Sequence, residues 1–177
     1  MKLIYRLDNK IVYIQNFLPD HEYKKLHNEI FKQHKEFNLE PASKFVEKEL
    51  LKNLISPKRV EINEDYLKFY KTLLLHQRFL KIKTPIFQKN YIYFRQKNSG
   101  INWHTDEHVD YGVTYYLNKR WNLNWGGEFM FTYNGQNGYI PVVGNSLVII
   151  KAPLLHKVNP ILVNFMPRVS IQSFIKC

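Results

Sequence analysis

The chain has 177 residues, 45% of them hydrophobic and 15% aromatic, with a formal net charge of +11. That is enough apolar material for one domain with its own core, and a single cysteine, the terminal Cys177, excludes an internal disulfide and any need for an oxidising compartment. No run approaches the ~18 apolar residues of a membrane span, and the opening MKLIYRLDNK is broken at once by Arg6 and Asp8, so neither a signal peptide nor a membrane partner is expected and the expected location is cytoplasmic.

The chain reads as a single domain over 1–177 with two regimes, residues 1–85 as mainly helical support and residues 86–177 as strand and turn. Lys10–Phe17 (KIVYIQNF) is a short strand-like opening. Leu18-Pro19-Asp20 then starts a helix, with proline tolerated in the first turn. Tyr23, Leu26, His27, Ile30, Phe31 and His34 recur at the spacing of one helical face, where His27 and His34 are packing or surface residues rather than ligands. A second helix is expected from Pro41 to about Ile55, stopping before Pro57, and a third from Glu64 to Phe79, with Leu67, Tyr70, Leu73 and Leu74 as its stripe. These helices would cover one face of a sheet. The positive charge gathers in residues 1–100, with 20 basic and 11 acidic side chains, against 6 and 4 in residues 101–177. The basic residues are mostly lysines scattered singly, as on solvated helix faces, so a nucleic-acid partner is the less favoured reading.

From Pro85 onward the period changes. YIYFR, INWHTD, VTYYLN, GEFMFTY, YIPVV, SLVII, HKVNPI and RVSIQSFI are short β-rich runs separated by Gly, Asn and Pro. So many short strands predict a jelly roll or barrel rather than a parallel sheet, and helices against an antiparallel double sheet make the domain α+β.

The chemistry-bearing residues lie in this half. On a strand, residues i and i+2 share a face, so His104 and Asp106 can reach one metal while Trp103 and Thr105 face away. His156, 52 residues after His104, can complete two histidines and one carboxylate. That facial set leaves adjacent metal positions open, the pattern of non-haem Fe(II) oxygenases; taken alone, H-x-D arises by chance too often to carry the reading. Arg168 opens the strand RVSIQSF twelve residues after His156, with Ser170, Gln172 and Phe174 on the same face. An arginine pointing into a barrel needs an anionic partner, and a carboxylate fits the guanidinium fork. An exposed strand start is the competing reading for Arg168. Gly126 and Gly127 read equally as a plain turn or as a steric requirement, Trp121 and Trp125 as packing or a substrate groove, and His108 as a loop residue at the site mouth.

Taken together and in order, His104-x-Asp106, Tyr115-Tyr116-Leu117-Asn118 with Trp121, Gly126-Gly127-Glu128-Phe129, Gly144, His156-x-Val158-x-Pro160 and Arg168-x-Ser170 make the stretch from Tyr91 to Phe174 resemble the 2-oxoglutarate/Fe(II)-dependent oxygenases, most closely their prolyl 4-hydroxylase-like branch. The resemblance implies a double-stranded β-helix (jelly roll, cupin-like) with N-terminal helices on the major sheet. It implies iron held by His104, Asp106 and His156 and chelated by 2-oxoglutarate, whose far carboxylate pairs with Arg168 helped by Ser170. Tyr116 matches a cosubstrate-facing tyrosine of that branch, and Tyr93, in preference to Tyr91, matches a second. The reaction implied is hydroxylation of a C–H bond with O2, with ascorbate as a candidate reductant and a prolyl residue of a protein or peptide as the first substrate to test. This chain departs from prolyl hydroxylases at Val109, where they carry an arginine, and at Phe174, where a tryptophan is common. Two rivals remain: an AlkB-type nucleic-acid demethylase, whose second arginine would stand at Phe174, and a non-catalytic metal-binding jelly-roll module, which would have no use for Arg168 and Ser170. Nothing in the sequence sets an oligomeric state.

Overall fold

The structure, a computed structural model, describes residues 1–8, 10–33, 35, 40–41, 58–62 and 86–177. A hairpin of β1 (Lys2–Leu7) and β2 (Ile11–Gln15) leads into α1 (Asp20–Gln33), and β3 (Glu40–Pro41) and β4 (Lys58–Glu61) precede β5 (Ile86–Arg95). The rest runs β6 (Ile101–His104), β7 (Tyr111–Tyr116), β8 (Phe129–Tyr133), β9 (Gln136–Ile140), β10 (Ser146–Lys151), β11 (Leu155–Val158) and β12 (Arg168–Lys176). Among the described residues these strands form an eight-stranded sheet, ordered β1-β2-β10-β7-β12-β5-β4-β3, and a four-stranded sheet, ordered β6-β11-β8-β9. Their pairings are antiparallel, which gives the jelly roll expected from the short alternating runs. The runs singled out from Tyr91 onward correspond in order to β5 through β12.

Strand alternation divides the large sheet into two working faces. One face carries Val12, Ile14, Ile92, Val113, Tyr115, Leu147, Ile149, Val169 and Ile171, buried against Tyr23, Leu26 and Ile30 of α1. These three helix residues are the stripe read from the 3.6-residue period, and His27 stacks on Phe31 at 4.3 Å between ring centroids, as a packing histidine. The helix begins at Asp20, after Pro19, whose carbonyl accepts from the Tyr23 amide at 3.0 Å. Asp20 and Glu22 sit in the first turn, where the helix dipole favours negative charge. The other face points at the small sheet and buries Ile11, Tyr13, Tyr116, Val148 and Ile150 against Phe129, Phe131 and Ile140.

Two expectations for residues 1–85 need adjustment. The first strand, β1, was not foreseen: it is an edge strand whose side chains are largely exposed, so it lacks the in-and-out alternation that marks a half-buried strand. Pro41, expected to open a second helix, pairs with Lys58 in a short ladder. The remainder of that helix, the whole of the expected helix over 64–79, and His34 lie outside the described residues. Among the described residues no helix is long and apolar enough to cross a membrane.

Candidate active site

The two histidines are brought together by strand pairing. His104 on β6 and His156 on β11 are direct register partners, and their ring centroids lie 4.2 Å apart. Each ring is held the same way. His104 Nδ1 is 2.7 Å from the Asn102 carbonyl, and His156 Nδ1 is 2.7 Å from the Leu154 carbonyl. A carbonyl accepts only, so Nδ1 carries the proton and donates, and Nε2 is the ring atom that presents a lone pair suited to a metal. Strand β6 ends at His104, and Asp106 sits two residues beyond it. A turn in which the Val109 amide donates to the Asp106 carbonyl at 3.3 Å fixes the backbone there.

His156 Nε2 lies 3.6 Å from Asp106 Oδ2, and His104 Nε2 lies 3.9 Å from Oδ1. These contacts are too long for hydrogen bonds, and two Nε2 lone pairs cannot donate to a carboxylate. Asp106 Oδ2 is accordingly buried without a hydrogen-bond partner. One ligand atom from each of His104, Asp106 and His156 falls within 4.8 Å of the others. A carboxylate that is 3% exposed and unpaired is costly, and a divalent cation between these three groups removes the cost. Burial, and after it electrostatic competition with the neighbouring His104 ring for a proton, pulls the His156 imidazole from 6.5 down to about 4. It is therefore neutral and ready to ligate at physiological pH.

The arginine end is built on β12, which lies between β5 and β7. Its inward residues stand in rows with theirs: Gln172 with Tyr91 and Thr114, Ser170 with Tyr93 and Tyr116, and Arg168 with Arg95. A cavity between the sheets is bordered by His104, His156, Phe129, Thr114, Gln172, Arg168 and Arg95. Asp106 Oδ2 lies 3.4 Å from where a Cβ on Gly112 would stand, and Gly112 is the register partner of Phe174, six residues along β12 from Arg168. Carboxylate and guanidinium thus belong to opposite ends of one strand.

Arg168 is 1% exposed, which rules out an exposed strand start. Its Nη1 donates to the Gly127 carbonyl at 3.0 Å, its guanidinium lies 4.9 Å over the Tyr116 ring, and its Nε has no partner. Two features of the sequence hold it there. A Cβ on Gly127 would fall 3.0 Å from Arg168 Cδ and 2.6 Å from Ile161, and the backbone there has φ of +82°. Gly127 is therefore a steric requirement of the arginine site, whereas Gly126 makes room for the Pro160 backbone and Leu162. Asn118, at the end of YYLN, donates to the Pro167 carbonyl at 2.9 Å and accepts from the Val169 amide at 2.7 Å, gripping the chain on both sides of Arg168. In the sequence Asn118 is the last residue of YYLN and shows no sign of this role.

Among the other expected cosubstrate residues, Ser170 and Tyr116 are buried in the row next to Arg168, and the Tyr116 hydroxyl has no partner. Burial raises its pKa, which keeps the hydroxyl protonated as a donor. Tyr93 is also buried on the inward face, in the row of Ser170 and Tyr116, with its ring 4.9 Å under the guanidinium of Arg95, which borders the cavity. Tyr93 belongs to an apolar cluster with Tyr91, Val109 and Phe174. Sequence reasoning missed Arg95. The signal was there: Arg95 follows Tyr91 and Tyr93 at strand spacing, so the argument made for an inward arginine at Arg168 applies to it equally. Trp121 hydrogen-bonds the Gly126 carbonyl at 2.8 Å and packs edge-on to Trp125. His108 lies 5.9 Å from the Phe174 ring and is not within the metal-ligand group.

Comparisons with known proteins came out as follows. The sequence model of the 2OG-Fe(II) oxygenase superfamily matches residues 89–176. No curated protein sequence matches. Among solved structures, a Pseudomonas putida prolyl-4-hydroxylase is similar with a TM-score of 0.73 at 18% identity, over 94% of this chain and 92% of that one. A Trichoplax adhaerens prolyl hydroxylase, solved with a peptide fragment of the hypoxia inducible factor oxygen degradation domain, gives 0.77 at 16%, over 96% and 84%. The non-haem α-ketoglutarate-dependent epimerase SnoN from nogalamycin biosynthesis gives 0.73 at 10%, over 94% and 78%. At these identities the likeness is one of fold.

Proposed function

The chain belongs to the 2OG-Fe(II) oxygenase superfamily, and from that premise we propose that His104, Asp106 and His156 hold the iron, that Arg168 receives the far carboxylate of 2-oxoglutarate with Ser170 and Tyr116 beside it, and that the substrate is a polypeptide, with a prolyl residue as the first candidate. As a member of that superfamily the protein is an oxidoreductase, a dioxygenase using Fe(II), 2-oxoglutarate and O2. The bound iron and cosubstrate supply the oxidising chemistry, in which 2-oxoglutarate becomes succinate and CO2 and one oxygen atom enters a substrate C–H bond.

The protein's own part is positional. The Asn102 and Leu154 carbonyls fix both imidazoles with Nε2 toward Asp106. The Gly127 carbonyl and the grip of Asn118 hold Arg168 at the far end of the cavity. Ile101, Phe129 and Val158 supply apolar wall to the cavity, and a less polar surrounding strengthens each charge contact inside. The observation that carries this reading is that one site holds both a carboxylate oxygen, Asp106 Oδ2, and a guanidinium N–H, Arg168 Nε, that are buried without a hydrogen-bond partner. A metal-holding module without catalysis has no use for the second.

Support for a polypeptide comes from the prolyl hydroxylases among the similar folds, one of them solved with a peptide fragment. SnoN shares the fold with another chemistry, so the substrate rests on the site wall. Val109 and Phe174, the two departures from prolyl hydroxylases, pack in one cluster with Tyr91 and Tyr93. The arginine and tryptophan of the resembled branch are thus both replaced by members of one buried apolar cluster. The buried Phe174 also leaves no cation where the nucleic-acid demethylases would need one. The test is iron-dependent release of succinate with proline-containing peptides and a +16 Da product. His104→Ala should abolish turnover, and Arg168→Ala should raise the cosubstrate requirement at least ten-fold. Wild-type behaviour of both variants sinks the site assignment; succinate release with other substrates but no hydroxylated peptide sinks the peptide.

A further inference from the structure

Arg95 is the second buried guanidinium of the cavity. It is 2% exposed, it borders the same cavity as Arg168, and it is Arg168's direct register partner across β5 and β12. Its Nε and Nη1 are buried with no hydrogen-bond partner, and among the described residues no carboxylate forms an ion pair with it. The Tyr93 ring beneath it supports the plane of the guanidinium without neutralising it. Burial, and next the neighbouring positive charge of Arg168, pull its pKa down to about 9. A guanidinium stays protonated at neutral pH, so two like charges face one enclosed space with N–H groups pointing nowhere. Such a pair is tolerable when an anion sits between them.

We propose that Arg95 is a second anchor for the cosubstrate, so that the far carboxylate of 2-oxoglutarate is held between the Arg95 and Arg168 guanidiniums. This rests on the cosubstrate reading of Arg168 above and deepens it. Two forks around one carboxylate satisfy the Nε of Arg168 and the Nε and Nη1 of Arg95 together, which neither arginine accomplishes alone. The arrangement also sets specificity: a 2-oxo acid without the far carboxylate leaves two buried cations facing each other, so the pocket selects against monocarboxylates more strongly than a single arginine would.

The test measures binding rather than turnover. Full-length protein loaded with Mn(II) in place of iron is titrated by calorimetry with 2-oxoglutarate and with 2-oxopentanoate, which keeps the chelating end and replaces the far carboxylate by a methyl group. Arg95→Gln should weaken 2-oxoglutarate at least ten-fold and leave 2-oxopentanoate unchanged or improved. Arg95→Lys should fall between wild type and Arg95→Gln. Without ligand, Arg95→Gln should melt no lower than wild type, because it removes an uncompensated buried charge. Loss of both ligands to the same degree, or a lowered melting temperature with unchanged 2-oxoglutarate binding, makes Arg95 a structural residue and overturns the proposal; should Arg95→Gln fail to fold, Arg95→Lys decides by the same two ligands. If Arg168→Gln weakens 2-oxoglutarate and Arg95→Gln does not, the proposal falls while the cosubstrate reading stands. If neither variant affects it, both fall.

Discussion

The two ends of the cavity are built on different physical plans. The metal end is set by a single strand pair: two histidines, 52 residues apart in sequence, face across it, each oriented by a carbonyl two residues before it, with one carboxylate two residues past His104. The arginine end is assembled from distant pieces: Arg168 on β12, Arg95 on β5, the Gly127 carbonyl, and Asn118 beyond β7. At one end, ligand atoms are set free by satisfying the rest of the ring. At the other, a charged group is left partly unsatisfied in a closed space. The first plan makes a site that protons can disrupt; the second makes one that packing can disrupt.

That contrast predicts an acid sensitivity belonging to the metal end alone. Without metal, His156 is held neutral in the folded protein, its pKa pulled from 6.5 to about 4. As pH falls, the unfolded chain binds this proton first, so folding stability declines. The contribution is fully present above about pH 6.5 and is lost progressively toward about pH 4, to a total of up to ~3 kcal/mol. Both arginines keep their charge throughout that window. Denaturant melts of metal-free protein between pH 7 and 4 should show the decline, and His156→Gln should flatten it. An equal slope in the variant would assign the acid sensitivity to other groups.

The arginine end should fail through packing instead. Gly127→Ala places a Cβ 2.6 Å from Ile161 and 3.0 Å from the Arg168 stem at a φ of +82°. The strain is worth ~1–3 kcal/mol of stability. The more telling readout is selective: 2-oxoglutarate affinity should drop several-fold while Mn(II) affinity holds. Equal loss of both would mean that the two ends are mechanically one unit.

The same division explains what could be read from the chain. His104 and Asp106 are legible from their two-residue spacing, His156 and Arg168 from the ordered motifs in which they stand, and the strand runs from Tyr91 onward from their alternation. Arg95 shares a strand face with Tyr91 and Tyr93, a weaker signal than a motif, and the pairing of β5 with β12 is what sets it beside Arg168. Asn118 and Gly127 were seen as motif letters, but what they do depends on Pro167, Val169 and the Arg168 stem arriving from some 40 to 50 residues away in sequence. The edge strand β1 left no periodic trace because neither of its faces is well buried.

Tyr116 offers the finest probe of the arginine end, since its ring and its hydroxyl do separate things. The ring is wholly buried between the sheets and lies 4.9 Å below the Arg168 guanidinium, and Phe would keep both of these contacts. The hydroxyl is buried with no partner, a state that costs ~1–3 kcal/mol in the ligand-free protein. Tyr116→Phe should therefore match or exceed the wild-type melting temperature. If the hydroxyl donates to the cosubstrate carboxylate, the same change should weaken 2-oxoglutarate by roughly three- to ten-fold, without altering Mn(II) binding. Higher stability with weaker binding is the signature of a donor kept unsatisfied for a ligand. A variant that melts lower, with 2-oxoglutarate binding unchanged, would mean that the hydroxyl serves the fold, leaving Arg168 and its neighbours to hold the carboxylate without it.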